Sequence, residues 1–439
     1  MAKKGIALLL LLALLLTACG TEAPEVVADA TLEETAAPVV TPEPTPEPLF
    51  EMGELTILRN WNSYTEDAIG MLSAYPLDND NGILLFSDYE AAAQYPVCAK
   101  EGCRHDGEAC EAFIPLDELS SINAAFAIRR YVIGGKVYIL KFYASPKKTF
   151  EEFTLERVNP DGTEREMFLS FPGLVTVGDK AATDGKLLFL TVVNYGEAAD
   201  AAGVPIDEGE SCLLKIDLAS GEVTKLRDAA NLSLLAAEGG ELFFMDSGAE
   251  PAGVLAYAPP FDAERALPPM PALFEKKYDS SNTRYRDGVY YLVEAQEDGS
   301  ELALGWCPSM GEVELSVSLP TGKSAISYVM DGHLVGHGDD ESGNDAWWCI
   351  DLKTGELGAH PYMVAFSDHT ETARIFGSIG DKYVIGNGMH TVRISFLGGR
   401  FDRTDYAYSL ISKSDYWSGQ DNTTPFEMWQ AGNSSLKYF

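Results

Sequence analysis

The chain has 439 residues, of which 46% are hydrophobic and 23% charged. That is apolar material enough for a large core and excludes global disorder. Its 67 acidic residues against 32 Lys plus Arg give a formal charge of −35. Such a balance supplies nothing to track a phosphate backbone and excludes nucleic acid as a partner.

The first predicted element is a targeting segment. Lys3 and Lys4 form a positive n-region, and an apolar run from Ile6 to Leu16 follows. Those eleven residues are too few for a bilayer-spanning helix, which needs about 20. They suit the h-region of a signal peptide. Leu16-Thr17-Ala18-Cys19 then resembles the bacterial lipobox, a Leu and two small residues before a Cys. The resemblance implies a signal peptide over 1–18, cleavage before Cys19, and acylation of that residue with thiol-linked lipid and an N-acyl chain. Two or three acyl chains hold a protein on a membrane where one does not. The expected address is therefore the outer face of a bacterial membrane, with the membrane as a partner through the lipid.

Residues 19–50 read as a linker. Thr21 to Pro48 is built of Ala, Thr, Glu, Pro and Val, with six prolines and no Lys or Arg. Its Thr41-Pro-Glu-Pro-Thr-Pro-Glu-Pro48 end is expected to extend as polyproline II, a semi-rigid spacer of about 3.1 Å per residue. Such a spacer holds an acidic domain away from anionic lipid and wall polymer. Its length points to a Gram-positive envelope.

From residue 51 to 439 the pattern is all β. Turn dipeptides recur: Asn81-Gly82, Gly134-Gly135, Asp184-Gly185, Gly239-Gly240, Asp287-Gly288, Asp331-Gly332 and Gly380-Asp381. Their second residues are spaced by 53, 50, 55, 48, 44 and 49. Each suits a two-residue primed turn, and each precedes a β-rich run such as Val137-Tyr138-Ile139-Leu140. Most of these runs are apolar on both faces, so they must be covered on both. A second hairpin recurs later in the repeat. Lys215-Ile-Asp217-Leu-Ala-Ser-Gly221-Glu222 and Cys349-Ile-Asp351-Leu-Lys-Thr-Gly355-Glu356 are near copies, and Arg157-Val-Asn159-Pro-Asp161-Gly162-Thr163 is a looser one. Two hairpins per unit make four strands, and four-stranded units at a pitch of about 50 predict a β-propeller. Seven blades fill 51–439; six or eight also fit, because the first and last units are degenerate.

One cluster carries chemistry. Cys98, Cys103, His105 and Cys110 follow a Cys-x4-Cys-x-His-x4-Cys spacing, with Gly102 and Gly107 in the loop. Three thiolates and one imidazole are a donor set for structural zinc. A disulfide among the same three cysteines is the rival, though it leaves one thiol over. Cys212, Cys307 and Cys349 lie in blade strands and read as buried singletons. Either way the cluster is expected to staple a loop between the first and second blades.

The stretch Cys98-x-Lys-x-Gly-Cys103-Arg-His105-Asp-x-x-x-Cys110-x-Ala112 resembles a motif of lipid-anchored propeller proteins of anaerobic Gram-positive gut bacteria, with YWTD-like or unknown-function repeats. Tyr406-Ala-Tyr-Ser-Leu-Ile411-Ser-Lys-Ser-Asp415-Tyr416-Trp417 is similar to the ending of that group. The resemblance implies a fold and a location, and no catalytic residue. The chain has Glu101-Gly102 where the group has a Pro, and an anaerobic habitat favours thiolate plus metal over disulfide.

Other signals are weaker. Asp78 to Gly82 fails the EF-hand template, and the acidic loop His337 to Asp345 reads as solvated. Asn194 to Ser211 is a long insertion. Trp306, Trp347 and Trp348 read as packing between blades. No nucleophile elbow, zincin helix, dinucleotide fingerprint or P-loop occurs in the sequence. The expected function is a non-catalytic binding module for a glycan, peptide or protein. The alternatives are a propeller glycoside hydrolase or polysaccharide lyase, and an envelope assembly scaffold or metal- or redox-sensing protein.

Overall fold

The turn dipeptides mark where each blade begins. Gly134-Gly135, Asp184-Gly185, Gly239-Gly240, Asp331-Gly332 and Gly380-Asp381 each join the first strand of a blade to its second. A computed structural model describes residues 55–59, 69–77, 81–115, 128–142, 152–173, 175–196, 209–248, 253–259, 261, 264–267, 284–286, 289–307, 312–366, 369–396, 399–429 and 435–438. The signal peptide, Cys19, the linker, Asp78–Asp80, Asp287-Gly288 and residues 197–208 of the long insertion lie outside them.

Seven small antiparallel sheets follow one another along the chain, as a seven-bladed β-propeller requires. Blade 1 begins with Gly70–Pro76 and Asn81–Asp88. Blade 2 is Ile128–Ile133, Lys136–Lys141, Glu152–Val158 and Glu166–Pro172, and blade 3 is Val175–Thr183, Leu187–Asn194, Glu210–Asp217 and Val223–Asp228. Blades 4, 5 and 6 occupy 232–266, 284–318 and 322–357. Blade 7 starts at Arg374–Ile379 and carries the long hairpin Lys382–Phe396/Gly399–Ser412. A two-stranded sheet, Met363–Ala365 with Thr370–Thr372, lies between blades 6 and 7 in the chain.

The two-faced apolar runs have a direct physical consequence. A strand with no polar face must bury both, and the seams between blades are where it does so. The buried side chains fall into seven clusters, each drawn mainly from two consecutive blades, including one between blade 7 and blade 1. Trp306 and Trp348 are fully buried in two of these seams, so neither offers a face to a sugar. Trp347 is half-buried, lies against His337 and donates its Nε1–H to the Thr370 carbonyl.

The recurring Ile-Asp-Leu hairpin joins the third strand to the fourth. Asp217 Oδ1 accepts the amides of Ala219 and Ser220, and Asp351 Oδ1 those of Lys353 and Thr354. These bonds hold both carboxyls below the usual aspartate range. Gly221 and Gly355 follow at φ +77° and +71°, a left-handed turn that explains why glycine recurs there.

The ring closes without a covalent bond. Thr424–Pro425 pairs with Gly399–Ser412 of blade 7. Two residues on, Glu427 crosses to blade 1, accepting from the Gln94 amide at 2.9 Å and donating to the Ala92 carbonyl at 2.8 Å. The N-terminal strand Thr56–Arg59 leaves blade 1 altogether. It pairs with Lys180–Thr183 on the first strand of blade 3 and makes that sheet five-stranded.

Candidate metal centre

The cysteine loop interrupts a strand. Ala93–Pro96 pairs with Leu85–Asp88, and Phe113–Pro115 pairs with Asn81–Ile83, both antiparallel. They are two halves of the third strand of blade 1, and residues 97–112 are an excursion from it. Leu84, the residue between the two pairings, fastens both ends. Its N–H donates to the Ala112 carbonyl at 2.7 Å, and its carbonyl accepts from Val97 N–H at 3.0 Å. The expectation of a loop between blades 1 and 2 is thereby corrected. The loop belongs to blade 1 and leans on blade 2.

Within the excursion the chain turns sharply. Cys103 N–H donates to the Lys100 carbonyl and Cys110 N–H to the Gly107 carbonyl. Lys100 Nζ reaches the Ala109 carbonyl at 2.9 Å. His105 sits at φ +53°, a left-handed conformation rare outside glycine and asparagine. The outcome is convergence: one ligand atom each from Cys98, Cys103, His105 and Cys110 lies within 4.8 Å of all the others. His105 Nδ1 stands 3.3 Å from Cys110 Sγ. The sulfur–sulfur edge of a tetrahedral zinc site is about 3.8 Å, from Zn–S bonds of about 2.3 Å. The group is therefore near the size a four-coordinate cation needs.

The electrostatics favour a thiolate at Cys98 and oppose one at Cys110. Burial works against a charge on Cys98, yet the amides of Lys100 and Glu111 and the thiols of Cys110 and Cys103 outweigh it and lower its pKa. Cys110 is buried, and burial pushes its thiol up to about 12 even though the Ala112 amide donates to its sulfur at 3.3 Å. Burial also lowers the His105 pKa, which keeps the imidazole neutral and able to ligate. All three cluster cysteines are free thiols, as are the buried Cys212 and Cys349 in blades 3 and 6.

Three neighbours support the loop. Gly162, in the third-to-fourth hairpin of blade 2, packs directly on Cys98, and a Cβ there would lie 2.4 Å from Cys98 Cα. Gly162 also sits at φ +87°. Gly162→Ala is therefore expected to combine backbone strain with a clash, costing about 2–4 kcal/mol. Urea unfolding would read that cost. Arg165 Nη2 donates to the Val97 carbonyl at 3.2 Å, and Trp429 meets His105 edge-on at 6.1 Å and Tyr75 at 5.0 Å.

Other candidates stay dispersed. Asp340 Oδ1 accepts the amides of Ser342 and Asn344, so the acidic loop spends its carboxylate on its own turn. Among the described residues no second group of metal-ligand side chains converges. The helper residues Leu84 and Trp429 carried no local signal for this role in the sequence, and Gly162 read only as a hairpin turn, because each acts across a fold contact.

The fold and site define a seven-bladed β-propeller with a Cys3His loop that could bind a metal. No protein-family model matches the chain, and no curated protein matches it in sequence. Among solved structures it is similar to oligogalacturonate lyase in complex with manganese, at 12% identity and a TM-score of 0.42, over 83% of this chain and 92% of that one. It is similar to a prolyl endopeptidase at 12% identity and TM-score 0.43, over 82% of this chain and 47% of that one. TolB from Acinetobacter baumannii is 12% identical with a TM-score of 0.31, over 79% of this chain and 77% of that one. These likenesses are distant, and none of them lends the chain an activity.

Proposed function

We propose that the protein is a lipid-anchored, extracytoplasmic β-propeller that acts as a binding module, with structural zinc at Cys98, Cys103, His105 and Cys110 clasping the excursion in the third strand of blade 1. The observation that carries the clasp is the convergence of four soft donors on one point, two of the cysteines being braced by backbone amides. Amide donation to metal-bound sulfur orients the ligand and spreads its charge. The partner is a glycan, peptide or protein presented outside the membrane. Support for a rigid platform comes from seven packed seams, which leave the loops free to vary without loss of the scaffold.

The anchor is tested by fractionation. Wild-type chain is expected in the membrane fraction, and Cys19→Ala in the soluble fraction with its blades folded. Membrane retention of the variant would refute the anchor. The redox-sensing alternative draws on the lowered pKa of the half-buried Cys98. It predicts rapid alkylation of Cys98 in the protein as isolated, whereas the zinc clasp predicts alkylation only after chelation.

A further inference from the structure

The connector from blade 6 to blade 7 borders a cavity of about 640 Å³. That volume lies within the range of roughly 300–1,000 Å³ that small-molecule sites occupy. Residues 360–365 of the connector line it together with Asn387, Gly388, Gly419 and Asp421. Backbone geometry holds each of these pieces. Tyr362 N–H donates to the Tyr416 carbonyl at 2.7 Å, and the Tyr362 carbonyl accepts from Ala373 N–H at 2.9 Å. Across the long hairpin Gly386 pairs with Tyr408 and Met389 with Tyr406, so Asn387 and Gly388 together face the single Ala407. This is a β-bulge, and Gly388 takes φ +97° within it. A bulge breaks the alternation of a strand and re-aims its side chains, here that of Asn387. Gly419 approaches the connector so closely that a Cβ would stand 3.3 Å from the His360 carbonyl.

The polar side chains at this cavity have more acceptors than protons. Tyr362 is 7% exposed, and its hydroxyl faces Asn387 Oδ1 at 2.9 Å and Asp421 Oδ1 at 3.1 Å. One proton cannot satisfy both. Burial and the bond to Asp421 push the tyrosine up to about 12, so the hydroxyl keeps that proton. The neighbouring donors are spent. Asn387 Nδ2 donates to Thr423 Oγ1 at 3.1 Å and lies 3.5 Å from Ser409 Oγ, and Thr423 Oγ1 donates to Asp421 Oδ1 at 3.4 Å. Asp421 Oδ2 has no hydrogen-bond donor among the described residues. Of the lining side chains outside this network, only the exposed His360 can add a donor. The rest of the lining is largely apolar, with Pro361 and Val364 buried and Met363 half-buried.

We propose that this cavity binds an alkylammonium group, carried by a free amine or by a lysine side chain of a peptide, with Asp421 and Asn387 receiving the charged head and Pro361, Met363 and Val364 the stem. The inference rests on the reading of the propeller as a binding module. An ammonium has three donors and no acceptor, which complements a site whose own donors are spent. A hydroxyl brings an acceptor with every donor, and an anion is repelled by the Asp421 carboxylate. The alkyl stem of such a cation covers apolar surface while its head keeps polar company. The charge of −35 acts in the same direction, raising the concentration of cations near the surface.

The test is calorimetry on the detergent-solubilised full-length chain. The probes are pentylammonium for the free amine and Nα-acetyl-lysine amide for the peptide residue, with 1-pentanol and Nα-acetyl-norleucine amide as their neutral counterparts. At least one ammonium probe should bind where its neutral counterpart does not. Tighter binding of the lysine amide assigns the ligand to a peptide, and tighter binding of pentylammonium to a free amine. Asp421→Asn should weaken binding by roughly tenfold, and Asn387→Ala by about threefold. Asp421 is exposed, so Asp421→Asn should melt close to the wild-type temperature. Glu210→Gln, on blade 3 and paired with Lys225, should leave binding unchanged. Equal binding of an ammonium and its neutral counterpart would overturn this inference. So would binding indifferent to both Asp421→Asn and Asn387→Ala, or no binding of either ammonium. Each of those results leaves the binding module standing, because that reading does not depend on this cavity.

Discussion

Stripping the metal from the full-length chain is expected to lower its melting temperature by up to about 8 °C. Free zinc a thousandfold above its dissociation constant stabilises a protein by about 4 kcal/mol. One kcal/mol moves the midpoint of a large domain by roughly 2 °C. Leu84 fastens both ends of the excursion, so the loss should appear first as protease cutting and hydrogen exchange between Cys98 and Cys110. Metal analysis should give one zinc per chain as isolated, and Cys110→Ser should give close to none, because that thiol is the buried member of the set. Absence of zinc from wild-type protein, with two fewer titratable thiols, would replace the clasp by a disulfide. The pH dependence has a definite sign. Each thiol that binds must lose its proton, and Cys110 is pushed up to about 12 in the metal-free protein. Affinity therefore falls as pH falls, by about tenfold per unit for each proton displaced. His105 adds to this slope only at low pH, because burial lowers its pKa.

What the sequence disclosed follows from the range of each interaction. The turn dipeptides and the Ile-Asp-Leu hairpins act over a few residues, so their chemistry is written locally and their pitch counted the blades. The Cys3His set lies within thirteen consecutive residues and was legible for the same reason. The split strand was not, since Ala93–Pro96 and Phe113–Pro115 are only four and three residues long. Each is too short to show alternation. Thr56–Arg59 joins a strand more than a hundred residues away, and nothing local specifies that partner.

Opening the ring at its non-covalent seam should damage the fold in a place where no other seam is weak. Phe426 is 5% exposed and packs among Tyr89, Val384, Tyr408 and Leu410, side chains of blade 1 and blade 7. Its N–H donates to the Tyr408 carbonyl at 2.9 Å, and the next residue, Glu427, is bonded to Ala92 and Gln94. Phe426→Ala removes the side chain that spans both blades and leaves a cavity, a loss of about 3–5 kcal/mol. The cost should be concentrated in space. Six seams are closed by covalent continuity from one blade to the next, whereas this one depends on the C-terminal segment staying in place. Hydrogen exchange should therefore accelerate at the amides of Gln94, Phe426 and Glu427 well before it does in blades 3 to 5. A matched deletion in another seam, Phe244→Ala between blades 3 and 4, supplies the comparison. Its cavity should cost a similar amount in urea without exposing the blade 7–blade 1 edge. If both variants exchange uniformly around the ring, the blades unfold as one cooperative unit and the C-terminal segment is no special fastening. If only Phe426→Ala frees its own seam, then Trp429, three residues on and in contact with His105, ties the closure of the ring to the order of the metal loop.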